Sequence, residues 1–289
     1  MGLTDEVRSS CRAIAESARF VSIDVDQLSE VEPAPPPALD AERHFLEGPV
    51  EAVASYMLIL DSINFGSGWF PTLRKRPGCS GYFTVAWGLA DFFRSGGRWS
   101  NEEMRSLDAS TVASVLGQDS GHELMDLYAE ALRSLGSFLG DRSALQLVRE
   151  AGGSAERLAS TLTSMPFFDD VGFWKRAQIV PNDLALAGIA SFEDLDRLTI
   201  FADNLVPHVL RVDGVLRYDP ALAARIDAGK LLTPGAEERE IRACAVHACE
   251  LIAGRLGTPP RVLDTWLWNR GQAPEYKAIP RHRTRTVYY

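Results

Sequence analysis

The sequence predicts a mostly α-helical protein, one multi-helix domain over residues 1–289 with at most a small strand element. Three observations carry that expectation. From about residue 100 to 164, apolar residues recur at helical spacing in five successive segments: 101–107, 109–116, 121–139, 142–150 and 154–164. Helix-start chemistry recurs with them: Ser100-Asn-Glu-Glu103 has the capping-box pattern, and Pro207 stands where a first helical turn tolerates a missing N–H. Strand character is confined to one short β-branched run, Phe20-Val-Ser-Ile-Asp-Val25.

In chain order, residues 4 to 19 place Val7, Cys11, Ile14, Ala15 and Ala18 at helical spacing. Glu32-Pro-Ala-Pro-Pro-Pro-Ala38 reads as a rigid, extended surface linker inside the domain. Val50 to Ile63 reads as a buried helix through Val53, Tyr56, Met57 and Leu60. It runs into Asp61-Ser-Ile-Asn64-Phe65 and then Gly66-Ser-Gly-Trp-Phe-Pro71. Such a corner lets backbone and an aromatic face approach a ligand closely. Phe65 would stack there, while Asp61 and Asn64 would read edges. The same residues also fit a plainer reading, with Phe65 and Trp69 in the core and Asn64 as a helix C-cap. Ser80-Gly-Tyr82-Phe83 opens a helix that runs to Phe93, and Gly96-Gly97 turns the chain. The five segments that follow look architectural, up to the break at Met165-Pro-Phe-Phe-Asp-Asp170.

The stretch from Trp174 to Arg211 gathers the candidate chemistry. Lys175 and Arg176 follow Phe173-Trp174, a cationic pair beside aromatics that suits a phosphate and equally a solvated helix face. Ser191-Phe-Glu-Asp194 has the capping-box pattern, and Phe192, Leu195, Leu198 and Phe201 follow at helical spacing. Pro207 then fits the first turn of a second helix bearing Val206, Val209 and Leu210. Asp203 falls between the two, at or near the second N-cap, facing free N–H groups and the positive end of the helix dipole. A carboxylate so placed stabilises a cation. The spacing alone fits a simple cap as well.

Beyond it, Asp213-Gly214 marks a tight turn, Tyr218-Asp-Pro220 opens a helix to Gly229, and Glu237 to Leu256 is strongly amphipathic. Glu240 and Arg242 on that mostly buried helix are expected to pair internally. Leu263-Asp264-Thr-Trp266-Leu-Trp268-Asn-Arg270 is a dense aromatic cluster. The tail from Lys277 to Tyr289 ends apolar and aromatic, which predicts docking. Its arginines form the one basic patch, suited to a phosphate or to salt bridges with surplus acids.

Apolar content of 46% with 24% charged residues is that of an ordinary soluble protein. The net charge of −9 argues for a small ligand over a nucleic-acid polymer, which normally meets a basic face. Cys11, Cys79, Cys244 and Cys249 lack metal spacing and read as thiols. Without a signal-like or membrane-length apolar run, the expected setting is the cytoplasm, with no membrane partner.

Phe201-Ala-Asp203 with Pro207, Lys175-Arg-Ala-Gln-Ile179, Glu240-Ile-Arg242, the Asp264–Trp268 motif and the closing Ile279–Tyr289 block together resemble the queuosine salvage family. The likeness spans nearly the whole chain, with a shortened loop before Ser191 and a less aromatic stretch after Phe65 as departures. It implies a fold like that of the helix-hairpin-helix base-excision glycosylases, with the short Ala187-Gly-Ile-Ala190 turn as the hairpin. It implies hydrolysis of the N-glycosidic bond of queuosine 5′-phosphate, which releases queuine for tRNA modification, with no metal or redox cofactor and no stable nucleic-acid partner. Carried onto this chain, it implies Asp203 as the catalytic carboxylate, stabilising the sugar cation, activating water or attacking covalently. It further implies His44, Asp61, Asn64, Phe65, Tyr82, Lys175, Asp264 and Trp266 as substrate contacts. A lone His such as His44 is otherwise a packing residue. Two other readings stand beside this one: a DNA or RNA base-excision glycosylase, and a nucleoside-binding protein without catalysis.

Overall fold

The helices form close to their expected ends because the apolar periodicity that defines them also buries them. In this computed structural model, which describes residues 2–24, 26–27 and 37–289, the chain begins with α1 (Leu3–Glu16) and the short strand β1 (Val21–Ile23). Next come α2 (Val50–Ser62), α3 (Gly81–Arg94), α4 (Asn101–Arg105), α5 (Ala109–Leu116), α6 (Glu123–Leu139), α7 (Ala144–Glu150) and α8 (Ala155–Leu162). The second half holds α9 (Lys175–Leu186), α10 (Val206–Val212), β2 (Leu216–Tyr218), α11 (Pro220–Asp227), α12 (Ala236–Leu256), α13 (Pro260–Arg270) and α14 (Pro274–Lys277). The Ser100 capping box forms as read, its hydroxyl accepting from the Glu103 N–H. Val25 and most of the proline-rich stretch, residues 32–36, lie outside the described residues.

Two buried helices act as hubs. α2 packs against α3, α6, α7 and α9, and its second half is buried on every side, so it carries no polar stripe. α12 packs against α1, β1, α10 and α13. β1 pairs antiparallel with β2, Val21 opposite Tyr218 and Ile23 opposite Leu216. β2 is too short to show a period in the sequence. Among the described residues no helix is long and apolar enough to cross a membrane.

Four expectations are corrected. The helix expected to carry Phe192, Leu195, Leu198 and Phe201 does not form; 187–205 holds one 3-10 turn, Leu195–Arg197, and is otherwise non-helical. With it goes the hairpin at Ala187–Ala190. Tertiary hydrogen bonds win over local periodicity here: Gln178 accepts from the Thr199 N–H at 3.0 Å and Asp264 from the Phe201 N–H at 2.8 Å. Asp194, read as part of a local capping box, instead caps α8, accepting from the Ala155 N–H at 2.6 Å. Nor do Glu240 and Arg242 pair with each other, since residues two apart project from different faces of a helix. Glu240 accepts from the Arg19 and Phe20 N–H groups, and Arg242 forms a bidentate pair with Asp170.

The tail docks as expected. The Gly66 N–H donates to the Tyr289 carbonyl at 3.0 Å, and Arg176 donates to the Val287 carbonyl at 2.7 Å. Gly68 lets this happen: a Cβ there would lie 2.5 Å from the Thr284 carbonyl oxygen. Gly68→Ala is therefore expected to push the tail off its seat and lower the melting temperature by several degrees, roughly 1–3 kcal/mol of overpacking. Calorimetric melting checks this; an unchanged midpoint would show that the tail yields without cost.

Candidate active site

A cavity of about 370 Å³ opens where the end of α2, α3 and α9 face α10 and α13. α9 lines it with Lys175, Ile179, Asn182, Asp183 and Leu186, one face of a helix at i, i+4, i+7, i+8 and i+11. That register depends on how α9 starts. Trp174 holds φ at +44°, the one described non-glycine residue on the left-handed side, and its N–H donates to the Asp170 carbonyl at 2.7 Å. The strained corner turns Lys175 inward.

Asp203 lies half-buried on the cavity wall. Its Oδ1 accepts from the Leu205 N–H at 2.7 Å and the Val206 N–H at 3.0 Å, the opening turn of α10. The helix-start position read from the sequence is therefore correct, and the carboxylate faces a ligand-sized space. Arg242 fixes the segment behind it: Nε donates to the Ala202 carbonyl at 2.9 Å while the two Nη groups hold Asp170.

Lys175 is 5% exposed, and its Nζ donates to the Asn64 carbonyl at 3.0 Å. Burial lowers its pKa to about 8, against the opposing charges of Asp203, Asp61 and Asp264. An ammonium hemmed in by acids is a poor grip for a phosphate. Asp264 lines the cavity with Oδ1 accepting from Phe201; burial, reinforced by the Asp203 charge, holds its carboxyl well above the usual range. Asp183 is likewise pushed up by burial. His44 donates from Nδ1 to the Asp40 carbonyl at 2.8 Å, so Nε2 accepts from the Tyr82 hydroxyl at 3.0 Å. Burial lowers the His44 pKa, which favours this neutral form.

His44, Asn64, Phe65, Tyr82, Lys175, Asp203 and Asp264 thus meet at one cavity. Asp61 and Trp266 do not line it. Asp61 is fully buried behind the wall, its pKa raised by burial and by the Asp183 charge. Trp266, two residues past Asp264, points off the face that Asp264 and Trp268 share. Phe65 reaches the cavity, but its ring is taken up by Tyr128 edge-on at 5.0 Å and by the Arg176 guanidinium at 4.8 Å. The part-exposed aromatic wall is made instead by Tyr82, Phe83 and Trp268, the Trp268 ring standing edge-on to the other two at 5.8 and 5.5 Å, with the Arg43 guanidinium over Phe83 at 4.5 Å. Trp268→Ala is expected to raise KM about tenfold, the loss of one stacking face, with Trp266→Ala near wild type. Equal effects of the two in steady-state assays would undo the assignment of the slot.

Sequence reasoning singled out none of Asp183, Asn182 and Phe83 on the cavity wall, whereas Arg281, also on it beside Lys277, belongs to the basic tail that the sequence marks as suited to a phosphate. Helical phase from Lys175 would have found Asp183, but Pro181 inside α9 masks the helix. The charges follow an order. Arg281 at one end feels Asp203; Asp203 acts on Lys175 and Asp264; Asp183 acts on Asp264 and Tyr82 at the other.

The model of the family described as queuosine salvage protein matches residues 44–289. A queuosine 5′-phosphate N-glycosylase/hydrolase of Sphaerobacter thermophilus is 33% identical over 98% of this chain and 97% of its own length. Proteins of the same name from Mus musculus and Bos taurus are 28% and 30% identical, each covering at least 98% of both chains. The chain belongs to the queuosine salvage protein family.

Proposed function

We propose that this protein hydrolyses the N-glycosidic bond of queuosine 5′-phosphate, giving queuine and ribose 5-phosphate. The observation that carries the reading is Asp203: an acid held at a helix start, on the wall of a nucleotide-sized cavity, between a cationic end and an aromatic slot. The names of the relatives agree with it.

In this pose the 5′-phosphate meets Arg281 and Lys277, the ribose lies beside Asp203, and the base enters the slot of Tyr82, Phe83 and Trp268. Asp183 at the far end suits the donor edge of a guanine-like base or its side-chain ammonium. Breaking the bond sends its electron pair onto the base and leaves positive charge on the sugar. The Asp203 carboxylate stabilises that charge and takes a proton from the attacking water, whose oxygen bonds to C1′. A 7-deazapurine has no N7 to protonate. Asp264, whose pKa burial and the Asp203 charge raise, is the candidate donor to the base elsewhere. Two carboxyl groups in one cavity thus divide into an anion and an acid.

The sign of the pH dependence follows. The active form of Asp264 is the protonated one and its pKa is raised, so rate is lost as pH rises through that raised value. Lys175 also loses its charge on the alkaline side, near 8. Asp264→Asn is expected to lower kcat by about a hundredfold and to remove the alkaline limb that belongs to Asp264. An unaltered profile and rate in that variant would remove Asp264 from the chemistry. The reading as a whole is tested by incubating the protein with queuosine 5′-phosphate and with unmodified nucleotides, then separating free bases by chromatography. Release of queuine alone is the expected result; no release, or release of ordinary bases, defeats it.

A further inference from the structure

Beyond the cationic end, a second cavity of about 640 Å³ meets the first across Ser67, Phe70, Ser80, Leu205, Lys277 and Arg281, which line both. Lys75 and Arg283 line only the outer one. We infer that this outer groove binds a second phosphate attached to the 5′-phosphate of the nucleotide, so that the site takes 5′-extended nucleotides as well as the monophosphate. The inference rests on the reading of the inner cavity as a nucleotide site.

Charge balance is the first argument. Lys75, Lys277, Arg281 and Arg283 surround the junction, and none enters a salt bridge among the described residues, in a chain of net charge −9. Surplus acids elsewhere on the surface do take up arginines, as Asp119 does Arg74 and Glu123 does Arg285. The unpaired cations feel one another: burial, then the Arg281 and Arg283 charges, lowers the Lys75 pKa. A 5′-phosphate brings roughly −1.5 to −2, which leaves about two of the four positive charges uncompensated. A terminal second phosphate adds about one more negative charge and offsets part of what is left.

Geometry gives the second argument. The cations unique to the outer groove lie past the two assigned to the 5′-phosphate, on the side away from Asp203 and the base slot. Ser67 at the junction is buried, and its hydroxyl has no hydrogen-bond partner. An orphaned donor beside clustered cations is what a bridging phosphate oxygen satisfies. The groove also has room for more than an ion, walled in part by Pro71 and Ile279. A 5′-diphosphate presents this second anion with about one more negative charge; a 5′-linked dinucleotide presents the second phosphate without that gain, since each phosphate of its bridge carries a single charge.

Isothermal calorimetry decides the point, with 7-deazaguanosine 5′-monophosphate, its 5′-diphosphate, and a dinucleotide in which phosphorylated adenosine is linked to the 5′-phosphate. The diphosphate, the dinucleotide or both are expected to bind at least about tenfold tighter than the monophosphate, and which one does so identifies the source of the phosphate. Lys75→Glu, on an exposed side chain without a hydrogen bond among the described residues, is expected to remove most of that gain and leave monophosphate binding within about threefold. Extended ligands that bind no tighter, or a variant that weakens all three ligands alike, would overturn the groove. Turnover of queuosine 5′-phosphate is scored separately, so a failed groove and a failed activity give different results.

Discussion

Asp203→Asn is expected to lower kcat for base release by about a thousandfold, with substrate binding and the melting temperature close to wild type. The fold survives because an amide oxygen can still accept from the Leu205 and Val206 N–H groups that now bond to Oδ1. In the proposed pose, what the variant loses is negative charge beside the sugar, needed only once the bond begins to break. The loss should therefore fall on kcat more than on KM. Single-turnover rates measured together with calorimetric affinity check both halves. A variant that still turns over within tenfold of wild type would return Asp203 to the status of a helix cap.

Arg242 is expected to show the largest effect on stability. It is 2% exposed, grips Asp170 with two nitrogens, lies 3.5 Å from Glu238, and stacks over Phe173 at 3.9 Å and Tyr289 at 4.7 Å. Arg242→Met keeps much of the volume but leaves two buried acids without their counter-charge and the Ala202 carbonyl without its donor. Breaking a buried pair from one side costs about 3–5 kcal/mol, and a melting temperature lower by roughly 10 °C is expected. Activity should fall more than the folded fraction does, because Ala202 immediately precedes Asp203. Thermal denaturation followed by circular dichroism tests the first claim; a shift under two degrees, about 1 kcal/mol or less, would contradict it.

Helix content and most helix positions were legible from periodicity and capping chemistry, because those elements are held by the same apolar stripes that mark them. The Asp203 position was legible for a similar reason: a proline in the first turn fixes a helix start, and an acid just before it has few other roles. The segment leading up to it was not. Leu198, Ile200 and Phe201 carry enough apolar surface to imitate a helix face, yet the segment stays non-helical because Gln178 takes up the Thr199 N–H and Asp264 the Phe201 N–H, both acceptors remote in sequence. A capping box at Ser191–Asp194 was a reasonable local reading until Asp194 proved to cap a different helix.

Within the site, composition alone could not choose between Trp266 and Trp268. The choice is one of helical phase about α13, fixed by where that helix packs on α10 and α12. The stacking role expected of Phe65 is assigned in the proposed pose to Tyr82, Phe83 and Trp268, because Phe65 is buried against Tyr128 and Arg176. Asp183 escaped notice since a proline hides the helix that delivers it. By itself, then, the sequence determined the helical class, the late acid at a helix start and the family to which the chain belongs, all recorded in short runs of neighbouring residues. Only the tertiary structure decided which side chains face the cavity, which acids have their pKa raised and where unpaired cations gather, because burial and charge act through space between residues far apart in the chain.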